Sequence, residues 1–380
     1  MPLVLTEEQE LLRQSARDFV TKSAPLKRVR ALRDGSDPVG FSRELWGEMA
    51  QLGWTGVIFP EQFGGAGLGY MDLIVVMEEL GRGLMPEPML STVLLGGNTI
   101  WLGGSESQKQ TLLPPLIEGK LLLTLAHHEN GSRFDVCRIA TRAERSGGGW
   151  TLNGSKSLVL DAHVADRVIV PARTSGDASD RRGITLFVVD AHAPGVTITR
   201  QSVVDGRNAG IVRLDKVAVS ADSVIGKADE GAELLASVVD RATVGLCAEM
   251  LGSMSAAFAM TLDYLKTRMQ FGALIGTFQA LKHRAAKMYV ETELARSAVM
   301  AAAQAIDSTS PDIPQLVSLA KARCSEAFVL IGNEGVQMHG GIGMTDEHDI
   351  GFFLKRARTT QLTLGDAAFH RNRWAELAGY

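Results

Sequence analysis

The sequence predicts an α+β fold that is mainly α, in the order helical, β, helical. Three observations carry that prediction. Residues toward both ends place apolar side chains at gaps of three and four, the spacing of one helix face. The middle instead carries short β-branched runs separated by turn residues. The texture changes near Leu121 and again near Gly226. We therefore expect a helical domain over residues 1–120, an antiparallel β sandwich or barrel over 121–225 and a helical domain over 226–380.

The elements follow in order. Thr6 and Gln9 have the spacing of a capping box, and Leu11, Leu12, Ala16, Phe19 and Val20 continue it as an apolar stripe. Pro60 to Gly67 reads as a loop, and Met71 to Leu80 as a helix stopped by Gly81 and Gly83. Leu121 to Leu125 suits a buried strand. Trp150 to Leu152 alternates toward a turn at Asn153-Gly154. Val168 to Val170, Ile184 to Val189 and Val196 to Thr199 are further short strands. The turns between them are Gly147-Gly148-Gly149, Ser175-Gly176-Asp177 and Ala193-Pro194-Gly195. Helix returns after Gly226. Its clearest face is Phe278, Leu281, Ala285, Met288, Ala295 and Val299, with Thr292 at the one missing step.

Composition narrows the function classes. The chain has 380 residues, 45% hydrophobic and 22% charged, with a net charge of -4. That is an ordinary globular balance, and it argues against nucleic-acid binding. Glu7, Glu8 and Glu10 stand where a secretory signal would be basic and apolar. The longest charge-free run, Pro88 to Ser105, is interrupted by glycines and polar residues and makes a poor membrane span. Cys137, Cys247 and Cys324 are widely separated, as free thiols in a reducing compartment are. A cytoplasmic protein with no membrane partner is expected. No metal is expected either, since His127, His128 and His370 lack ligand spacing.

Two segments carry the functional signal. One is Gln337-Met338-His339-Gly340-Gly341-Ile342-Gly343, whose glycines let backbone come close to a flat, charged ligand. The other is Arg268-Met269-Gln270-Phe271-Gly272, continuing to Phe278-Gln279. Both resemble signatures of the acyl-CoA dehydrogenase family, and so does the Pro60 to Gly67 loop. The spacing from Arg268 to Gln279 and on to Gln337 is similar too. The resemblance implies an acyl-CoA dehydrogenase-like fold ending in a four-helix bundle, an FAD cofactor and an acyl-CoA substrate. It also implies a dimer or an α2β2 tetramer, and an electron-transferring flavoprotein as electron acceptor. By position, Arg268 is similar to the arginine that meets the FAD pyrophosphate. Phe278 and Gln279 resemble residues at its ADP portion, and Gln337 to Gly341 the segment along that half. Met269, Gln270 and Phe271 share this interface. In the family these elements reach an FAD held mainly by a neighbouring subunit.

The resemblance breaks at two places. Members usually carry Thr-Glu-Pro and then Gly-Ser-Asp around the flavin ring. Here His128 and Asn130 flank Glu129, followed by Gly131-Ser132. A Trp and a Thr on the next strand are replaced by Leu158 and Leu160, and leucine cannot donate to flavin N5. The catalytic base is the second break. Most members place a glutamate immediately before the glycine that aligns with Gly365, and here that residue is Leu364. Others use a glutamate before an arginine upstream of Arg268. Asp240-Arg241 has that look, but counting back from Gly272 puts Ala242 at the site, and two residues turn a helix by about 200°. Asp366 and Asp240 are thus candidate displaced bases, set against a cap and a helix ion-pair partner.

Three functions remain in view. One is a self-sufficient homo-oligomeric dehydrogenase with a relocated carboxylate base. The reading we favour is a non-catalytic or half-site subunit of a heteromer. Some bacterial members pair a catalytic chain with a degenerate one and act on bulky or dicarboxylic acyl thioesters, steroid side chains included. The third is a flavin-free scaffold protein of the same fold.

Overall fold

A computed structural model describes residues 4–35 and 37–380. The first helices are α1 (Glu7–Ser23), α2 (Leu26–Asp34), α3 (Arg43–Gln51), α4 (Tyr70–Arg82), α5 (Asn98–Gly103) and α6 (Glu106–Ile117). The strands are β1 (Leu123–Leu125), β2 (Arg142–Ser146), β3 (Gly149–Leu160), β4 (Arg167–Arg173), β5 (Ile184–Asp190), β6 (Val196–Ser202), β7 (Asn208–Val219) and β8 (Val224–Ile225). The chain then forms α7 (Gly231–Thr267), a small hairpin of β9 (Met269–Gln270) and β10 (Ala273–Leu274), α8 (Gln279–Asp307), α9 (Ile313–His339), α10 (Ile350–Leu362) and α11 (Ala367–Leu377). This is the helical, β, helical order of a mainly α, α+β fold. The chain divides into two compact units. One takes residues up to 35, 69–85 and 243–380, and the other takes 37–68 and 86–242.

In the first unit, α1 begins on the expected capping box. Thr6 Oγ1 accepts from the Gln9 amide at 3.2 Å, and Gln9 Oε1 accepts from the Thr6 amide at 3.1 Å. The α4 N-terminus is capped from afar: Asp307 accepts from the Tyr70 and Met71 amides at 2.6 and 3.0 Å. A carboxylate there complements the positive end of the helix dipole. Gly83 closes α4, but Gly81, also read as a stop, lies inside its last turn. A Cβ there would sit 2.1 Å from the Glu249 carbonyl, so packing against α7 explains that glycine. The predicted face of α8 is buried at Ala285, Met288, Thr292, Ala295 and Val299. Thr292 fits among them because its hydroxyl donates back to the Met288 carbonyl at 2.9 Å. Phe278 departs from that stripe. It stands just outside the helix, at the position before Gln279, and is 38% exposed.

In the second unit, seven strands follow the order β6-β7-β3-β2-β4-β5-β8, and β1 pairs with β4 in parallel. The neighbours are otherwise antiparallel, apart from a single parallel pair between β2 and β4. The core holds Leu152, Val168, Val170, Phe187, Val212 and Leu214. Gly154 does not end its strand as expected. β3 runs through it with a register shift between Leu152 and Gly154. Gly154 has φ +154 and Thr141 fills the space a Cβ would need, so the glycine makes a bulge rather than a turn. The Pro88 to Ser105 run becomes a buried π-helical segment (Met89–Gly97) leading into α5. Among the described residues no helix is long and apolar enough to cross a membrane.

Candidate cofactor and catalytic site

The two signal segments sit at neighbouring helix ends. Arg268 follows the last turn of α7, where its amide donates to the Tyr264 carbonyl at 2.9 Å. The Ile275 amide donates to the Arg268 carbonyl at 3.0 Å, closing the hairpin. Met269 is 56% exposed, and Phe271, at φ +54 on the hairpin tip, is 89% exposed. Its ring meets Phe278 edge-on, with centroids 6.3 Å apart. Arg268, Gln270 and Gln279 are also exposed, and no side chain caps the start of α8.

Gln337, Met338 and His339 form the last turn of α9, and Gly340 ends it at φ +65 and ψ −139, a region essentially restricted to glycine. Gln337, Gly340 and Gly341 face outward, whereas the Met338 and His339 side chains are buried. A Cβ on Gly340 or Gly341 would meet no atom of this chain within 4 Å. Backbone conformation alone accounts for Gly340, whereas neither packing inside the chain nor a positive φ accounts for Gly341. The open backbone fits the approach of an external ligand. His339 Nδ1 donates to the Gly335 carbonyl at 2.7 Å. Its ring packs on Tyr264 at 4.5 Å and on His348 at 4.3 Å, centroid to centroid. Burial lowers its pKa, and the nearby His348 lowers it further despite the bond to Gly335. The Tyr264 contact ties the end of α7, where Arg268 begins, to the glycine-rich end of α9.

In the β domain the retained Glu129 is committed to internal bonds. Its carboxylate accepts from the Ala140 amide at 2.7 Å, the Thr141 amide at 3.1 Å and Lys156 Nζ at 2.6 Å. Lys156 is wholly buried and also donates to the Pro171 carbonyl at 2.6 Å. Burial alone would raise the Glu129 pKa, but Lys156 and the amides outweigh it and hold it low. His128 Nδ1 lies 3.0 Å from Ser157 Oγ, and its carbonyl accepts from the Ser157 amide at 2.9 Å. Leu158 follows at φ +51 and is 49% exposed. Burial drives the His127 pKa down to about 4. Among the described residues no three His, Cys, Asp or Glu side chains form a group that could hold a metal.

The residues expected at the base positions lie as follows. Leu364 has φ +58, a conformation disfavoured for leucine, at the turn before α11. Lys321, fully buried on α9, donates to the Gln361 carbonyl at 3.2 Å, the Gly365 carbonyl at 2.6 Å and Ser325 Oγ at 3.1 Å. His370 Nε2 donates to the Leu364 carbonyl at 2.9 Å. The turn is thus held by a lysine and a histidine while its side chain is aliphatic. Asp366 caps α11, accepting from the Phe369 amide at 2.8 Å. Asp240 lies buried on α7, which runs unbroken from Gly231 to Thr267, and the aligned Ala242 is fully buried.

Comparison with known proteins settles the frame. Sequence profiles of the acyl-CoA dehydrogenase N-terminal, middle and C-terminal domains match residues 6–120, 124–217 and 229–378. A probable acyl-CoA dehydrogenase of Bacillus subtilis, YngJ, is 30% identical over 376 residues, covering 98% of each chain. The chain belongs to the acyl-CoA dehydrogenase family. As a member it is an oxidoreductase by descent. Two solved structures of the family are especially informative. The Tcur3481–Tcur3483 steroid ACAD matches with a TM-score of 0.88 and 32% identity, over 98% of both chains. The ChsE4–ChsE5 complex from Mycobacterium tuberculosis matches with a TM-score of 0.90 and 27% identity, over 100% of both chains. Against the acyl-CoA dehydrogenase pattern, the residues that sequence reasoning missed are Lys321 and His370. Neither shows a motif, since each acts on backbone carbonyls of a turn distant in sequence or hidden by the helix start.

Proposed function

We propose that this chain serves FAD-dependent α,β-dehydrogenation of an acyl-CoA thioester as the non-catalytic or half-site subunit of a heteromer. Leu364 carries the reading. Removing the α-proton needs a carboxylate within hydrogen-bond reach, and an isobutyl group cannot accept a proton. The turn beneath it is nonetheless clamped by Lys321 and His370, so the site keeps its backbone without its base. Neither candidate replacement supports the alternative. Asp366 is engaged as a helix cap, and Asp240 is held two residues from the aligned position on an unbroken helix.

FAD, when bound, supplies the acceptor for the β-hydride. Arg268 is suited to its pyrophosphate through bidentate donors. Gln279 at the uncapped start of α8 and Gln337, Gly340 and Gly341 are suited to its nucleotide half. Met269, Gln270, Phe271 and Phe278 would be covered by the adjoining chain, with Met338 and His339 contributing only backbone. The flavin-ring side of this chain does not fit so well. Leu158 and Leu160 offer no side-chain donor, and Glu129 is already consumed by Lys156. The retained and lost halves together favour a flavin whose ring belongs to a different, catalytic chain.

The likeness to the Tcur3481–Tcur3483 and ChsE4–ChsE5 pairs, each named for two chains, supports a heteromer, and the steroid ACAD supports a bulky acyl group. An electron-transferring flavoprotein would take the electrons, in the cytoplasm. The test is the visible spectrum of the purified chain. Colourless protein that gains flavin absorbance and acyl-CoA turnover on co-expression with a catalytic dehydrogenase chain is expected. Yellow protein with full flavin and turnover on its own would overturn the reading.

A further inference from the structure

Helix α2 has no buried residue at all and no side-chain N-cap. A nine-residue helix is marginal in water, and half-burial of Leu26, Val29 and Leu32 is all that its apolar side chains supply, so contacts of its charged residues add to what fixes it. Two arginines of the helix reach one place, although Arg33 Nε also donates to its neighbour Asp34 at 2.7 Å. Arg33 grips Asp346 with both terminal nitrogens, at 2.6 and 2.7 Å. Arg30 bridges Asp346 at 3.0 Å and Asp349 at 2.8 Å. Both guanidinium groups also lie over the Phe352 ring, at 4.9 and 5.1 Å from its centroid. The segment they hold begins five residues beyond Gly341, between the glycine-rich run and α10. Its other ties are the Thr345 amide and hydroxyl to Ile342, the Ile350 amide to His348 Nδ1, the Phe352 amide to the Asp349 carbonyl, and the His348 ring against His339 and Tyr264.

We propose that Arg30 and Arg33 are positioning residues, and that α2 is a salt-sensitive strap holding the glycine-rich run in place for the flavin nucleotide. The proposal rests on the reading of Gln337 to Gly341 given above. Two arginines spaced by three face two aspartates spaced by three, so one helix face meets one side of the loop. Asp346 is 63% exposed, and such pairs are screened by salt, whereas the cation–π contacts are less so. The strap therefore loosens with ionic strength without unfolding the helices beneath it.

The experiment has two arms. Hydrogen exchange on the full chain alone compares wild type with Arg30→Met/Arg33→Met in low salt and in about 1 M KCl. Exchange of residues 340–349 should rise about 10-fold in the variant, with wild type moving toward it in high salt and the α9 interior unchanged. Unchanged exchange overturns the strap. The second arm titrates FAD into the co-expressed complex. The double variant should weaken FAD binding about 10-fold, and the swap Arg33→Asp with Asp346→Arg should restore most of it. If exchange rises but FAD binding holds while Arg268→Ala weakens it, the positioning role is wrong. If Arg268→Ala leaves FAD binding unchanged too, the flavin reading itself fails and takes the positioning role with it.

Discussion

Lys321 Nζ donates to the Gly365 carbonyl at 2.6 Å, directly after Leu364, the leucine proposed to stand at the base position. A fully buried ammonium with three acceptors holds a turn whose side chain at Leu364 is aliphatic. Lys321→Met should leave the Gln361 and Gly365 carbonyls unpaired and cost about 3 kcal/mol. Urea denaturation of the chain checks it. A loss below about 1 kcal/mol would show that the carbonyls find water.

His370 gives a pH dependence. Burial, the largest effect, drives its pKa down to about 3, although its bond to Leu364 acts the other way. Its Nδ1 is buried without a partner, so a second ring proton has no acceptor. The histidine is neutral in the fold and takes up a proton on unfolding. Its contribution is complete above the unfolded pKa near 6.5, shrinks below it, and is lost by about pH 3. Urea midpoints should fall from pH 7 to pH 5. His370→Gln, which keeps a donor for the Leu364 carbonyl without a titrating ring, should flatten that slope even if it lowers stability throughout.

The Glu129–Lys156 pair predicts a non-additive cycle. Removing one partner strands a buried charge, so Glu129→Gln or Lys156→Met alone should cost about 3–5 kcal/mol. The double variant should cost clearly less than the sum of the two. Thermal or urea unfolding of the four proteins measures the coupling. An additive cycle would mean the two charges are screened from each other.

Leu364→Glu restores a carboxylate on the same strained backbone. The chain alone should remain without acyl-CoA dye-reduction turnover, because Leu158 and Leu160 still offer the flavin ring no donor. Turnover by this single variant without a partner chain would show that only the base had been lost.

How much of this was legible in the sequence depends on whether a residue's role is local. The α8 face could be read because burial follows the three-and-four spacing through Thr292. The hairpin turn at Gly147 and Gly148 was equally plain, and both have positive φ. β7 was not, since Lys216, at φ +52, adds a second exposed residue after Asp215 and breaks the alternation that Val212 to Asp215 begins. β2 buries only Ala143 and reads as polar surface. In the site, Arg268, Gln337 and the glycines stand out by residue type and spacing. Lys321 looks like any helix-surface lysine until its carbonyl acceptors are seen. The Arg30–Asp346 contact joins residues 316 apart, which no local pattern announces.

The most direct test is the flavin content of the assembled complex, measured by released-FAD absorbance against chain masses. The account predicts half as many flavins as chains, with Arg268→Ala in this subunit lowering flavin retention. One flavin for every chain, undisturbed by Arg268→Ala, would contradict it.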